Sequence, residues 1–146
     1  DYIAGIRAAW KGDLLVKGVM RPDDAVRLVD MGIDGIWVSN HSARQFEAGP
    51  AAISQVPAIR KAVGKDVPIV FDSGVASGLD VLRALALGAD MVFLGRGWHY
   101  ALGALGAPGV DHLVHILASD MIANMRQIGV DRFDQLADQL IDQPAK

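Results

Sequence analysis

The sequence predicts an α/β fold built on a parallel sheet, and three observations carry that reading. Short apolar runs alternate with amphipathic helical patterns along the chain. The runs are apolar at consecutive positions, as strands buried on both faces of a parallel sheet require. The chain also aligns with itself: a shift of 56 positions sets Gly18 on Gly74, Val19 on Val75, Asp24 on Asp80 and Arg27 on Arg83. The same shift sets Gly32 on Gly88, Asp34 on Asp90 and Trp37 on Phe93. One repeat therefore spans two βα units, either by internal duplication or by convergence of similar units.

Each element has its own signal. A helical pattern of Tyr2, Ile3, Ile6 and Trp10 opens the chain. The first strand is Leu14–Lys17, followed by a helix over Pro22–Met31, with a proline suited to a first turn and Gly32 just past the end. The second strand, Gly35–Val38, leads to a helix over Ala51–Val63 that Gly64 closes. The third, Pro68–Phe71, leads to a helix over Leu79–Leu87 that Gly88 closes. The fourth is Met91–Leu94. After it come helices over Trp98–Leu105, Val110–Ile128 and Phe133–Leu140, with no further strand. The pattern is (βα)4 plus C-terminal helices, about half of a (β/α)8 TIM barrel. Residues 129–146 are expected to be a polar helical tail. Half a barrel leaves two sheet edges open, and Leu14, Leu15, Val92 and Leu94 would then meet water. The expectation is the C-terminal half of a longer barrel, or a half barrel that pairs with itself as a homo-oligomer.

Composition narrows the class of function. Of the 146 residues, 51% are hydrophobic and the net charge is −3, which fits a domain with a real core. Basic residues are neither abundant nor clustered, so a nucleic-acid partner is not expected. The absence of cysteine excludes disulfides and thiolate metal sites. No apolar stretch approaches the roughly 20 residues of a membrane helix. A cytoplasmic protein is expected, with any targeting segment upstream of Asp1, where a helical pattern is already under way.

The candidate chemistry collects at the strand ends, the rim where parallel α/β folds bind ligands. Lys17 closes the first strand. A lysine there either reaches solvent or serves a site, since burying an unpaired ammonium is costly. The second strand ends in Ser39-Asn40-His41-Ser42-Ala43-Arg44-Gln45. His41 supplies a proton acceptor and Arg44 a planar fork suited to a carboxylate. Together they suggest proton abstraction from an anionic substrate, and a solvated polar loop is the plainer alternative. The third strand runs into Asp72-Ser73-Gly74-Val75-Ala76-Ser77-Gly78 and a helix start, where small residues let backbone amides approach an anion. The fourth runs into Gly95-Arg96 and another helix start. Loops after the last two strands of such barrels commonly hold phosphate.

These residues resemble the FMN-dependent 2-hydroxy acid oxidases and dehydrogenases, which include glycolate oxidase, lactate oxidase and mandelate dehydrogenase. The resemblance runs from Trp10-Lys11-Gly12 to Ile128-Gly129-Val130. It is carried by Val16-Lys17-Gly18-Val19, Ser39 to Gln45, Asp72-Ser73-Gly74-Val75, Ala84 to Ala89 and Leu94-Gly95-Arg96. It implies FMN as cofactor and oxidation of a small (S)-2-hydroxy acid to the 2-oxo acid. Lys17 is then expected near the flavin N1/C2 carbonyl, His41 as general base and Arg44 on the substrate carboxylate. Asp72, Gly74, Gly95 and Arg96 are expected on the ribityl and phosphate of FMN, with Ser39, His41 and Ser73 also lining the cofactor site. Another FMN or phosphate-binding barrel enzyme, such as an isomerase, and a non-catalytic self-associating half barrel are the alternatives.

The departures from the family pattern are specific. Ser42 and Ala43 stand where the family has two glycines, and glycine allows backbone angles that they do not. Ala76 and Ser77 stand where the family has basic residues, so one phosphate contact is lost, and Ser77 with the loop amides is the candidate replacement. The family's first four strands supply an acidic partner for the histidine and a substrate-binding tyrosine. Neither is in this sequence, and the chain alone is expected to be inactive. The remaining conspicuous residues read plainly. His112 and His115 are a solvated helix pair with nothing to complete a metal site. Trp98, His99 and Tyr100 are expected to pack that helix against the barrel or a subunit neighbour, and Met121 and Met125 to serve a core or interface.

Overall fold

The computed structural model describes residues 2–141, which form two compact units. The first runs to Gly74 and takes in Gly88–Phe93. It holds α1 (Tyr2–Ala9), β1 (Leu15–Val19), α2 (Pro22–Asp30), β2 (Gly35–Val38), α3 (Ala52–Val63), β3 (Ile69–Phe71) and β4 (Met91–Val92). The strands form one four-stranded sheet in the order β1-β2-β3-β4, and every neighbouring pair is parallel. The expected strands are therefore all present, in chain order.

Burial explains why the inner strands read so clearly. Ile36, Val38 and Ile69 are fully buried and Phe71 nearly so. Val56 and Ile59 of α3 and Ala25 of α2 are buried as well, at the spacing of an apolar helix face. The outer strands keep Leu15 and Met91 exposed. β1 and β3 each start one residue later than expected, at Leu15 and Ile69, and two strand ends differ as well. β1 continues past Lys17 to Val19, because the register steps from Lys17 opposite Trp37 to Val19 opposite Val38. Gly18 absorbs the extra residue with a φ of 95°, a bulge that a residue lacking Cβ makes without strain. β4 stops at Val92, although the Phe93 amide still bonds the Phe71 carbonyl at 2.9 Å.

The amino ends of the strands are held by two copies of one clamp. Arg7 pairs with Asp34 at 2.7 Å and donates to the carbonyls of Gly32, Trp10 and Gly12. Arg60 pairs with Asp90 and donates to the carbonyls of Gly88, Gly64 and Val67. Each aspartate also accepts a backbone amide, from Leu14 just before β1 at 2.8 Å and from Ile69 of β3 at 2.7 Å. The Leu14 amide leads the causes that hold the Asp34 carboxyl below the usual carboxylate range, and burial opposes it. The repeat seen in the sequence, Gly32-Asp34 against Gly88-Asp90, is thus a repeated hydrogen-bonding unit.

The second unit is helical and comprises Val75–Leu87 with the residues from Leu94 onward. Its elements are α4 (Gly78–Ala86), α5 (Arg96–Leu105), α6 (Ala107–Gln127) and a 3-10 segment over Phe133–Gln139. α6 begins at Ala107 rather than Val110, since Pro108 is accepted in a first helical turn. Residues 129–141 correct the expectation of a polar helical tail. The segment over Phe133–Gln139 is 3-10, and Val130 and Leu136 are buried against Leu82, with Met121 and Met125 alongside. Two anchors six positions apart show no helical period, so the pattern reads as polar. Residues 142–146 of that expected tail lie outside the described residues. Among the described residues, no helix is long and apolar enough to cross a membrane.

α4 and α6 meet at Gly78, where a Cβ would stand 2.5 Å from both the Leu117 carbonyl oxygen and the Met121 amide nitrogen. Both neighbours are backbone and cannot swing away. Gly103, inside α5, has nothing within 4 Å of the same position. Gly78→Ala is therefore expected to lose about 1–3 kcal/mol by overpacking. Gly103→Ala should gain roughly 0.5–1 kcal/mol. Urea denaturation of the two variants checks the opposite signs.

Candidate active site at the carboxyl ends of β1 to β3

Parallel register brings three strand ends to one edge of the first unit. Lys17 of β1 lies opposite Trp37 of β2, and Trp37 opposite Val70 of β3, so residues just beyond β2 and β3 emerge beside the lysine. The Lys17 ammonium pairs with the Asp72 carboxylate and donates to Ser39 Oγ at 3.0 Å. It also stands 4.4 Å from the centre of the Trp37 ring, which packs on Phe93 at 4.6 Å between ring centroids. Trp37 and Phe93 are equivalent in the sequence repeat, a signal from which this aromatic floor was readable. The lysine is therefore a held charge and not a side chain trailing into solvent.

Ser39 is only 2% exposed, and its hydroxyl oxygen also accepts the His41 amide at 3.1 Å. Next to it, Ser73 Oγ donates to Asp72 Oδ1 at 2.8 Å and accepts the Ser42 amide at 3.1 Å. Burial by itself pushes the Asp72 carboxyl up. Hydrogen bonds from Lys17, Ser39 and Ser73, with the lysine's charge, outweigh it and hold the group below the usual carboxylate range.

The histidine sits on a strained turn. His41, Ser42 and Ala43 form a short 3-10 segment with φ values of 55°, 56° and 59°. Ser73, at 89°, is the other non-glycine residue with positive φ among those described. Left-handed backbone disfavours side chains and gathers at functional sites. The departures at Ser42 and Ala43 thus fall where glycine would be unstrained. Side chains compensate: Ala43 N donates to Asn40 Oδ1 at 3.2 Å, and Asn40 Nδ2 ties the turn to the Pro50 carbonyl. Asn40 is a residue to which the sequence suggested no role.

His41 lines a cleft of about 460 Å³ with Lys17, Gln45, Met20, Phe46 and Pro50. That volume suits a small organic ligand. Met20 and Phe46 were not legible as lining residues, because each follows its motif in sequence without a pattern of its own. The Arg44 guanidinium is exposed, and no hydrogen bond or ion pair engages it among the described residues. Gly74 continues from the network with a φ of 86° and open space where a Cβ would stand.

In the second unit, the loop after β3 departs from the anion cradle expected there. Asp80 accepts the amides of Ala76 and Ser77, each at 3.1 Å, and the Ser77 hydroxyl at 2.8 Å. Ser77 Oγ in turn accepts the Asp80 amide. This reciprocal cap fills the start of α4 with a carboxylate, so Ser77 and these amides are committed and cannot replace the missing basic residue. Asp80 is held below the usual range; burial, the largest influence, raises it, and the Ser77 hydroxyl and these amides overcome that. Gly95, by contrast, starts α5 with no side-chain cap, and Arg96 follows it exposed. The Trp98 amide there bonds the Gly95 carbonyl at 3.1 Å.

Asp72 yields a pH test. Its folded value lies below 3.8, so its contribution is fully present above that value and is lost as pH falls through the folded one. Asp72→Asn should therefore cost stability near neutral pH and cost progressively less under acid. The expected loss is about 1 kcal/mol, discounted because the Lys17 side chain is 42% exposed. Urea midpoints for parent and variant at about pH 7 and pH 3 measure it.

Known proteins match this chain closely. The family model of the FMN-dependent dehydrogenases matches residues 1–143. An L-lactate dehydrogenase of Caulobacter sp. (strain K31) is 47% identical over 131 residues, covering 90% of this chain and 34% of that protein. An L-lactate dehydrogenase of Alcaligenes faecalis is 44% identical over 136 residues, 93% of this chain and 36% of that protein. A structure of a Pediococcus acidilactici lactate oxidase superposes with a TM-score of 0.88 at 40% identity, covering 94% of this chain and 38% of that one. A mandelate oxidase solved with (S)-4-hydroxymandelic acid gives 0.86 at 36% identity, 92% of this chain and 38% of that one. The chain spans about a third of the length of the curated relatives it matches. Its sheet is accordingly a partial barrel, and the chain belongs to the FMN-dependent dehydrogenase family, of which it is the C-terminal part.

Proposed function

We propose that this chain supplies the base, the carboxylate clamp and part of the cofactor site of an oxidoreductase that turns a small (S)-2-hydroxy acid into its 2-oxo acid. The observation that carries this reading is the network joining Lys17, Asp72, Ser39 and the His41 turn beside a ligand-sized cleft. The residues present fit FMN. A held ammonium suits a ring edge that gains negative charge, and the open backbone at Gly74 can be approached closely. Asp72 can accept a ribityl hydroxyl; the phosphate contacts that the resemblance assigns to Gly95 and Arg96 belong to the second unit, where the start of α5 carries no side-chain cap. Bound FMN supplies the acceptor for the two electrons that the oxidation releases.

The chain's own residues do the rest. Arg44, unengaged and planar, grips the substrate carboxylate and orients the carbon to be oxidised. His41 accepts a proton from the substrate, the role most often given to imidazole. Lys17, held in place by Asp72 and Ser39, stabilises negative charge developing beside it. As part of the same reading, the working protein is a cytoplasmic homo-oligomer with no nucleic-acid partner. The net charge of −3 supports the last point. The two outer strands of the sheet support association, since each presents a flank that a complete barrel or a second copy would cover.

The test uses the full-length protein that carries this chain. It should show a flavin absorbance band that bleaches anaerobically when an (S)-2-hydroxy acid is added. His41→Gln should keep the band and lose about 100- to 10,000-fold in turnover. Arg44→Lys should chiefly raise KM, because a point charge replaces a fork. A flavin band that no 2-hydroxy acid bleaches would favour another barrel enzyme, and no band at all a non-catalytic module.

A further inference from the structure

The His41 turn consists of three successive residues in left-handed backbone, each of whose amides is met by a side-chain oxygen. Two of those oxygens are local, Ser39 Oγ for His41 and Asn40 Oδ1 for Ala43. The third, for Ser42, is Ser73 Oγ, which comes from 31 positions away, beyond β3. Ser73 itself bears a φ of 89°, which glycine would adopt without strain. Its hydroxyl is spent inside the protein: the proton goes to Asp72 and the lone pair to the Ser42 amide. A side chain kept at steric cost and turned inward is placed to hold something, and what it holds is the turn that carries His41.

We infer that Ser73 is a positioning residue: its hydroxyl ties the left-handed His41 turn to the end of β3 and so fixes the histidine beside Lys17 and Asp72. The inference rests on the reading of His41 as the base. It goes beyond that reading by assigning the histidine's placement to a residue that does not touch the substrate. The other two caps, Ser39 and Asn40, belong to the chain segment that enters the turn. Ser73 alone among the three caps reaches the turn from a different strand.

The test compares Ser73→Gly and Ser73→Ala with the parent in the full-length protein. Both variants lose the hydroxyl, but only the glycine also relieves the backbone, so a fold-stabilising role alone would leave Ser73→Gly fully active. We expect hydrogen exchange over residues 40–44 to quicken about tenfold or more in both variants, while Val38 and Phe71 stay protected. The flavin band should remain. The limiting rate of flavin reduction should fall roughly 10- to 100-fold, with KM changed less than about threefold, as for a misplaced base. Unchanged exchange over 40–44, or a limiting rate within about twofold of the parent, overturns the inference. If the parent flavin is not reduced by any 2-hydroxy acid, the functional reading has failed. The exchange measurement then decides by itself whether Ser73 holds the turn.

Discussion

The ion pair between Lys17 and Asp72 is the contact on which the rest of the site depends. The Lys17 ammonium stands near the end of β1, beside the ends of β2 and β3, with its side chain 42% exposed. Without a partner it would turn to solvent, and β1 would lose its side-chain link to the ends of β2 and β3. Asp72 lies one residue beyond β3, so the pair bridges the first and third strands across the second. Ser39, just beyond β2, closes the gap by bonding the lysine. The network is satisfied member by member, which is the condition for a half-buried polar cluster to rigidify a site.

The two ends of the sheet do different work. At the amino ends, Arg7–Asp34 and Arg60–Asp90 bind loop carbonyls and strand amides, and nearly every partner is backbone. Such contacts join neighbouring strands and leave no group free for a ligand. At the carboxyl ends, the cations Lys17 and Arg44 and the imidazole of His41 face a cleft or open solvent. Strain follows the same division, since the non-glycine residues with positive φ, His41 to Ala43 and Ser73, all sit at the carboxyl ends. Backbone held in such conformations persists only where its surroundings over-determine it, and here three side-chain oxygens do so.

The loop after β3 illustrates how one substitution pattern redistributes a role. With Ala76 and Ser77 in place of basic residues, the start of α4 is sealed by Asp80. An anion meets its own charge there. The start of α5, at Gly95 and Arg96, carries no such side-chain cap.

Much of this was legible in the residues. Ile36, Val38, Ile69 and Phe71 announce buried parallel strands by consecutive apolarity, and the fold class follows from local pattern alone. The positions of Lys17, His41 and Asp72 at or just beyond the ends of the first three strands mark the rim that the structure brings together. Other features needed the folded chain. The bulge at Gly18 depends on a register between two strands, and the burial of Leu136 depends on a face that α4 supplies. The partners of Lys17 lie 22 and 55 positions away, and that of Ser42 lies 31 away. A hydroxyl that looks like any loop serine becomes a tether only when β2 and β3 lie side by side. Periodicity reports contacts between near neighbours, whereas hydrogen bonds between strand ends are set by the register of the whole sheet.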